Sequence, residues 1–67
     1  MKDWRDLKTG DKLIYEYEEF GYKYEANATV VGRFEIGTKD DHVIASSPEC
    51  GGCLWIDDWS EHMFRRK

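Results

Sequence analysis

Proline, cysteine and histidine are scarce in this chain, basic residues are outnumbered, and long apolar runs are missing. The 67 residues include one Pro, two Cys and two His. No stretch approaches the roughly 18 apolar residues of a membrane helix, so no membrane span is expected. The start, Met1-Lys2-Asp3-Trp4-Arg5-Asp6, lacks the apolar core of a signal peptide. Two Cys without an export signal point to a reducing cytoplasm, where thiols stay free or bind metal. There is no Gly-rich phosphate loop, nucleophile elbow or metalloprotease helix. Ser46, Ser47 and Ser60 have no base at a readable spacing. A core this small leaves little room for a desolvated pocket, so an enzyme is not expected. Lys plus Arg total 10 against 14 Asp plus Glu, a formal charge of −4. That balance argues against nucleic-acid binding, which calls for a basic face, and suits a basic protein partner.

Aromatic residues are abundant. Three Trp, four Tyr and three Phe can each bury about 150–250 Å². A single domain of this length buries only roughly 60% of the surface its unfolded chain exposes. The rings exceed what such an interior can hide, and some belong at the surface or in an interface.

From Tyr22 to Ile36 the even positions are apolar or small and the odd ones polar, with Val31 the one exception. A period of two marks a half-buried β-strand. Tyr24, Ala28, Val30 and Phe34 are expected to point inward, and Gly32 is a place for a bend or bulge. Before it, Lys12 to Glu18 reads as a first strand with Leu13, Tyr15 and Tyr17 on one face. Glu19-Phe20-Gly21 is the connection, with a positive φ available at Gly21. Asp3 is placed to cap a helical turn over Trp4 to Lys8, with Trp4 and Leu7 on one face and Gly10 as the stop. Short strands are expected at His42 to Ser46 and at Cys53 to Asp57, the latter with Leu54 and Ile56 opposite Cys53 and Trp55. A single helical or 3-10 turn from Asp57 to Glu61 and a closing strand over His62 to Arg66 complete the chain.

This order of a turn, four strands, a one-turn helix and a fifth strand resembles the SH3-like small barrel, as does the opening Leu7-Lys8-Thr9-Gly10-Asp11-Lys12-Leu13. The resemblance implies a mainly β, five-stranded antiparallel SH3-like barrel as one domain over residues 1–67. An OB-like barrel or a curled antiparallel sheet fits the same pattern. Such a fold hosts many functions and implies none.

Cys50-Gly51-Gly52-Cys53 is the sharpest local motif. Two thiolates at this spacing can face one tetrahedral metal, with glycines allowing the tight turn between them. His42 and His62 complete a set of four candidate zinc ligands. The competing reading is a pair of free thiols flanking a hairpin loop. A redox pair fits less well, because thioredoxin-type motifs open a helix in a βαβ context.

Tyr15, Tyr17, Phe20, Tyr22 and Tyr24 crowd one decade of sequence, interleaved with Glu16, Glu18, Glu19 and Glu25. In strands the rings can pack across neighbours or form a platform for a partner. Phe20, in a turn where a structural role is least needed, is the leading contact residue, with Tyr22 beside it and Glu18 and Glu19 as its acidic rim. In Trp55-Ile56-Asp57-Asp58-Trp59 one Trp is expected in the core and the other exposed; Trp59 is taken as a further contact. In size and character the chain resembles the small accessory proteins of phages and mobile elements, many of which block a host enzyme. The resemblance implies a protein-binding module acting as an inhibitor or regulator of a larger enzyme. A zinc-stabilised small domain and a small-ligand binder formed by self-association are the alternatives.

Overall fold

The computed structural model describes residues 3–67. Five strands, β1 (Lys12–Glu19), β2 (Tyr22–Phe34), β3 (His42–Ser47), β4 (Gly52–Ile56) and β5 (Phe64–Arg66), form one antiparallel sheet in the order β4-β3-β2-β1-β5. The mainly β, five-stranded expectation holds. The hydrogen-bonded sheet is open, however: among the described residues β4 and β5 are edges and do not pair with each other. It curls instead, since Ile56 of β4 and Phe64 of β5, at opposite edges, belong to one buried cluster with Leu13, Val30 and Val43. Trp4 and Leu7 close this cluster from the N-terminal segment, on the shared face their spacing predicts. No helix among the described residues is long and apolar enough to cross a membrane.

Several boundaries differ from the sequence reading. The first turn is a 3-10 turn over Trp4–Asp6 only, and the Asp3 side chain makes no cap hydrogen bond. The 3-10 turn before the last strand lies at Glu61–Met63, not at Asp57 to Glu61, so β5 starts at Phe64 rather than His62. Asp57 uses its cap chemistry for a tight turn: its Oδ1 accepts from the backbone N–H of Trp59 (2.9 Å) and Ser60 (3.1 Å). An Asx-type bond of this kind competes with helix formation.

The register of β2 explains the largest differences. Val30 pairs with Ala45 but Gly32 pairs with Ile44, leaving Val31 as an extra residue in a β-bulge. A bulge of one residue reverses which face each following side chain takes. Val30 is therefore buried, whereas Phe34, expected inward, is exposed, and Arg33 turns to the Trp4 side, its guanidinium 5.7 Å from the ring centroid. Tyr24 is also more exposed than expected, for a different reason. β5 covers β1 only from Leu13 to Tyr15, and β3 covers β2 only from Thr29 to Phe34, so the far half of the β1–β2 hairpin outruns its neighbours.

Beyond the bulge, Arg33 grips Asp41 through Nε–Oδ1 (2.8 Å) and Nη2–Oδ2 (2.6 Å), and the Gly37 N–H donates to Asp41 Oδ2 (3.0 Å). The Arg33 fork, with the Gly37 N–H second, holds the Asp41 carboxyl well below the usual carboxylate range. A carboxyl with a depressed folded pKa stabilises the fold above its unfolded value of 3.8 and loses that contribution as pH falls through the folded pKa. Asp41→Asn is thus expected to lower stability at pH 7 and to flatten the loss of stability below about pH 4. Denaturant titrations at descending pH check this; an acid limb as steep as the parent's would show that Asp41 does not contribute to it.

Candidate functional site

The β1–β2 hairpin is paired from Lys12↔Thr29 to Glu19↔Tyr22 and is closed by Phe20 and Gly21 alone. Both have positive φ, 51° and 80°. This is the mirror-image two-residue turn that matches strand twist, and Asn-Gly or Gly-Gly is its ordinary filling. A Phe there costs roughly 1–2 kcal/mol, because its Cβ crowds the backbone in the left-handed region. Phe20 is also 90% exposed, so packing does not offset that cost.

Behind Phe20, rings climb the core face of the hairpin. Phe64 meets Tyr15 (centroids 5.0 Å apart), Tyr15 stacks on Tyr17 (5.2 Å), and Tyr17 stacks on its cross-strand partner Tyr24 (5.4 Å). Exposure rises along the series, from buried Phe64 to Tyr24 at 42%, Tyr22 at 69% and Phe20 at the tip. The inner rings therefore anchor a platform whose outer rings are free. Partial desolvation first, then the nearby Cys50 and Glu19, push the Tyr17 hydroxyl pKa upward.

A 3-10 turn over Pro48–Cys50 clasps β2 where β3 leaves it. Glu49 Oε1 accepts from the Asn27 backbone N–H (2.8 Å) and Nδ2 (2.9 Å), and Ser47 Oγ donates to the Asn27 carbonyl (2.7 Å). Those bonds, backbone first, hold the Glu49 carboxyl below its ordinary pKa. The clasp satisfies backbone that would otherwise be an open edge. Beyond it the hairpin runs past the ends of β3 and β5, in a molecule measuring 36 × 21 × 19 Å.

The solvent face of the hairpin carries charge. Glu16 lies directly opposite Glu25, an unfavourable like-charge pair. Arg65 resolves it by bridging both, at 2.8 Å to Glu16 and 2.7 Å to Glu25. Glu18 faces Lys23, and Glu19 faces Tyr22 across the last rung. The structure thus brings Phe20, Tyr22, Glu18 and Glu19 together at one tip, as the sequence reading places them.

Trp59 is not part of that group. It follows β4, whose Ile56 pairs with Val43 and, through it, aligns with Arg33. The span of β2 from Tyr22 to Arg33 is roughly 35 Å at about 3.3 Å per residue, so Trp59 lies toward the opposite end of the molecule. Trp59 is 87% exposed, and Trp55 is exposed as well, so neither is the expected core Trp; that role falls to Trp4.

A second aromatic face was not anticipated. His42 is sandwiched between Trp55 (centroids 3.4 Å, interplanar 6°) and Phe34 (5.8 Å) on the outer side of β2–β3–β4. Its Nδ1 lies 2.6 Å from the Asp40 carbonyl, which can only accept, so Nδ1 carries a proton. Trp55 Nε1 donates to Asp57 Oδ2 at 2.7 Å, fixing the outer ring. The signal for this face was Val31: an apolar residue out of phase marks the bulge that sends Phe34 outward.

The four residues considered as zinc ligands are not assembled. Among the described residues no three His, Cys, Asp or Glu side chains are grouped to hold a metal ion. Cys50 and Cys53 are exposed free thiols, His42 is committed to its ring stack, and His62 stands beside Met63 near β1. Comparison with protein-family models, curated proteins and solved structures finds no match.

Proposed function

We propose that the protein works by binding another protein through the projecting β1–β2 hairpin. Phe20 and Tyr22 are the anchors, and Glu18 and Glu19 the charged rim. The observation that carries this reading is Phe20 itself: a fully displayed ring held in a backbone conformation that costs folding energy. Local strain without a packing reward supports a role outside the fold. Rings bury much area at low side-chain entropy cost, which makes them anchors, while rim carboxylates steer the encounter. A small rigid wedge of this shape suits an inhibitor or regulator that inserts into a cleft of a larger enzyme. Trp59, at the far end with Trp55, is a separate contact. The strand order and the 3-10 turn before β5 support an SH3-like reading of the sheet, and two exposed thiols suit the reducing cytoplasm.

Phe20→Gly separates fold from function. It relieves the left-handed strain, so stability is expected to hold or to rise by about 1 kcal/mol. Affinity for a partner captured from cell lysate is expected to fall by about 1–3 kcal/mol, the range of a hot-spot truncation. Glu18→Lys with Glu19→Lys should slow association most at low salt. Melting curves and titration of the captured partner provide the readouts. A specific partner bound equally well by the parent and by Phe20→Gly would remove the hairpin tip as the contact.

A further inference from the structure

We propose that two copies of this chain associate through the exposed edge of β2 over residues 22–26, antiparallel about a two-fold axis at Tyr24. This goes beyond partner recognition by the hairpin tip and does not depend on it.

The backbone decides which groups that edge offers. The Val30 carbonyl accepts from the Gly10 N–H and the Val30 N–H donates to the Asp11 carbonyl, so Val30 directs both groups toward the β1 side. Residues two apart on a strand direct these groups the same way. Tyr22, Tyr24, Ala26 and Ala28 therefore bond to β1, and Lys23, Glu25, Asn27 and Thr29 face the other side. Thr29 is covered there by Ser46 of β3, and Asn27 by Glu49 and Ser47. Lys23 and Glu25 lie beyond that clasp. Among the described residues no hydrogen bond reaches the backbone N–H or C=O of either. The open window is thus bounded by the hairpin turn at one end and by the clasp at the other. Unpaired groups of this kind are a template for another strand.

Side chains select the occupant. Only Lys23 and Glu25 can exchange hydrogen bonds across this edge, so a two-fold pairing is centred on Lys23, on Tyr24 or on Glu25. Centring on Lys23 sets two ammonium groups together. Centring on Glu25 sets two carboxylates together and directs Lys23 at Asn27, whose groups are taken. Centring on Tyr24 sets Lys23 opposite Glu25 of the second copy, and Glu25 opposite its Lys23, each pair exchanging both backbone hydrogen bonds. Charge on an edge ordinarily blunts it against pairing; here the two signs are spaced to meet. Arg65 holds Glu25 by Oε2 alone, and Lys23, although it faces Glu18 across the hairpin, forms no ion pair among the described residues. On the core face the same register puts Tyr24 beside Tyr24 of the second copy as a non-bonded pair, where side chains approach most closely. The ring series from Phe64 through Tyr15 and Tyr17 stops at this edge with Tyr24 exposed, and the second copy continues it. The window is short, so the interface falls below the roughly 1,200 Å² of stable complexes and the association is weak.

Sedimentation and amide hydrogen exchange of the full chain, from about 10 µM to about 1 mM, provide the test. A monomer–dimer equilibrium is expected within that range, with exchange at the Lys23 and Glu25 amides slowing as the dimer fills. Lys23→Glu and Glu25→Lys should each weaken self-association roughly tenfold. An equal mixture of the two should associate again, since each offers the charge the other lacks. Oxidation of Tyr24→Cys, in a chain also carrying Cys50→Ser and Cys53→Ser, should link two copies, because directly opposed partners lie within disulfide reach. Phe20→Gly should self-associate like the parent, which separates the edge from the tip. A parent still monomeric at about 1 mM, protection at Cys53 and Trp55 in place of Lys23 and Glu25, or a dimer equally strong in both charge variants would overturn the inference. A chain that captures a partner through Phe20 while remaining monomeric would overturn it too, and would leave the hairpin-tip reading standing.

Discussion

Val30→Asp is expected to abolish the folded state, while Val31→Asp, one residue on, should fold. Val30 is 2% exposed in the main cluster, opposite Ala45. Its backbone also locks the turn before β1: its carbonyl accepts from the Gly10 N–H (2.8 Å) and its N–H donates to the Asp11 carbonyl (2.9 Å). An unpaired carboxylate there costs several kcal/mol or is neutralised at a similar cost. Total stability for small domains is about 5–15 kcal/mol, and a short chain sits at the low end. Val31 is the bulged residue and half exposed, so an Asp there meets water. Circular dichroism melts of the two variants provide the test. A parent-like melt for Val30→Asp, or loss of folding in both variants, would show that the bulge does not divide the two positions as described.

That contrast marks how far the fold was legible. Alternation over residues 22–30 identifies the buried face of β2, and the Trp4–Leu7 spacing identifies the N-terminal cover, because both depend on local periodicity. The same alternation continued past Val31 puts Phe34 inside, and there it fails. One unpaired residue reverses the faces, and a bulge is fixed by pairing with β3 rather than by β2 alone. Tyr24 fails for a related reason. Its exposure depends on where β3 and β5 stop, which is a matter of long-range register. At the candidate site, Glu18, Glu19, Phe20 and Tyr22 were readable together because a two-residue turn brings them together. Trp59 was not, since its distance from the tip is set by sheet order. The zinc reading likewise rested on residues that a local motif cannot bring together: His42 lies across the sheet in a ring stack that no spacing rule announces.

Trp4→Ala should cost about 3–5 kcal/mol, as truncation of a buried Trp does, and lower the melting temperature on the order of 20 °C. The Trp4 ring is 1% exposed. It is the largest fully buried side chain among the described residues, and Arg5 lies over it at 4.4 Å. Its Nε1–H donates to Asp58 Oδ1 at 2.8 Å, and this bond, with Arg5 second, holds the Asp58 carboxyl below its usual pKa. Two roles are therefore combined in one residue: the ring fills the core, and the indole N–H ties the Trp59 turn to it. Area decides between them. The ring is wholly withdrawn from water, while the Asp58 side chain is 64% exposed and can exchange the indole for solvent. Asp58→Ala, which removes the acceptor, should accordingly perturb stability far less than Trp4→Ala, and Trp4→Phe should fall between. Guanidinium titrations of the three variants rank the effects. If Asp58→Ala proved as damaging as Trp4→Ala, the N-terminal segment would be held by its hydrogen bond rather than by the ring. The core would then close through the Asp57–Ser60 turn, and Trp59 would report on folding rather than stand free as a contact.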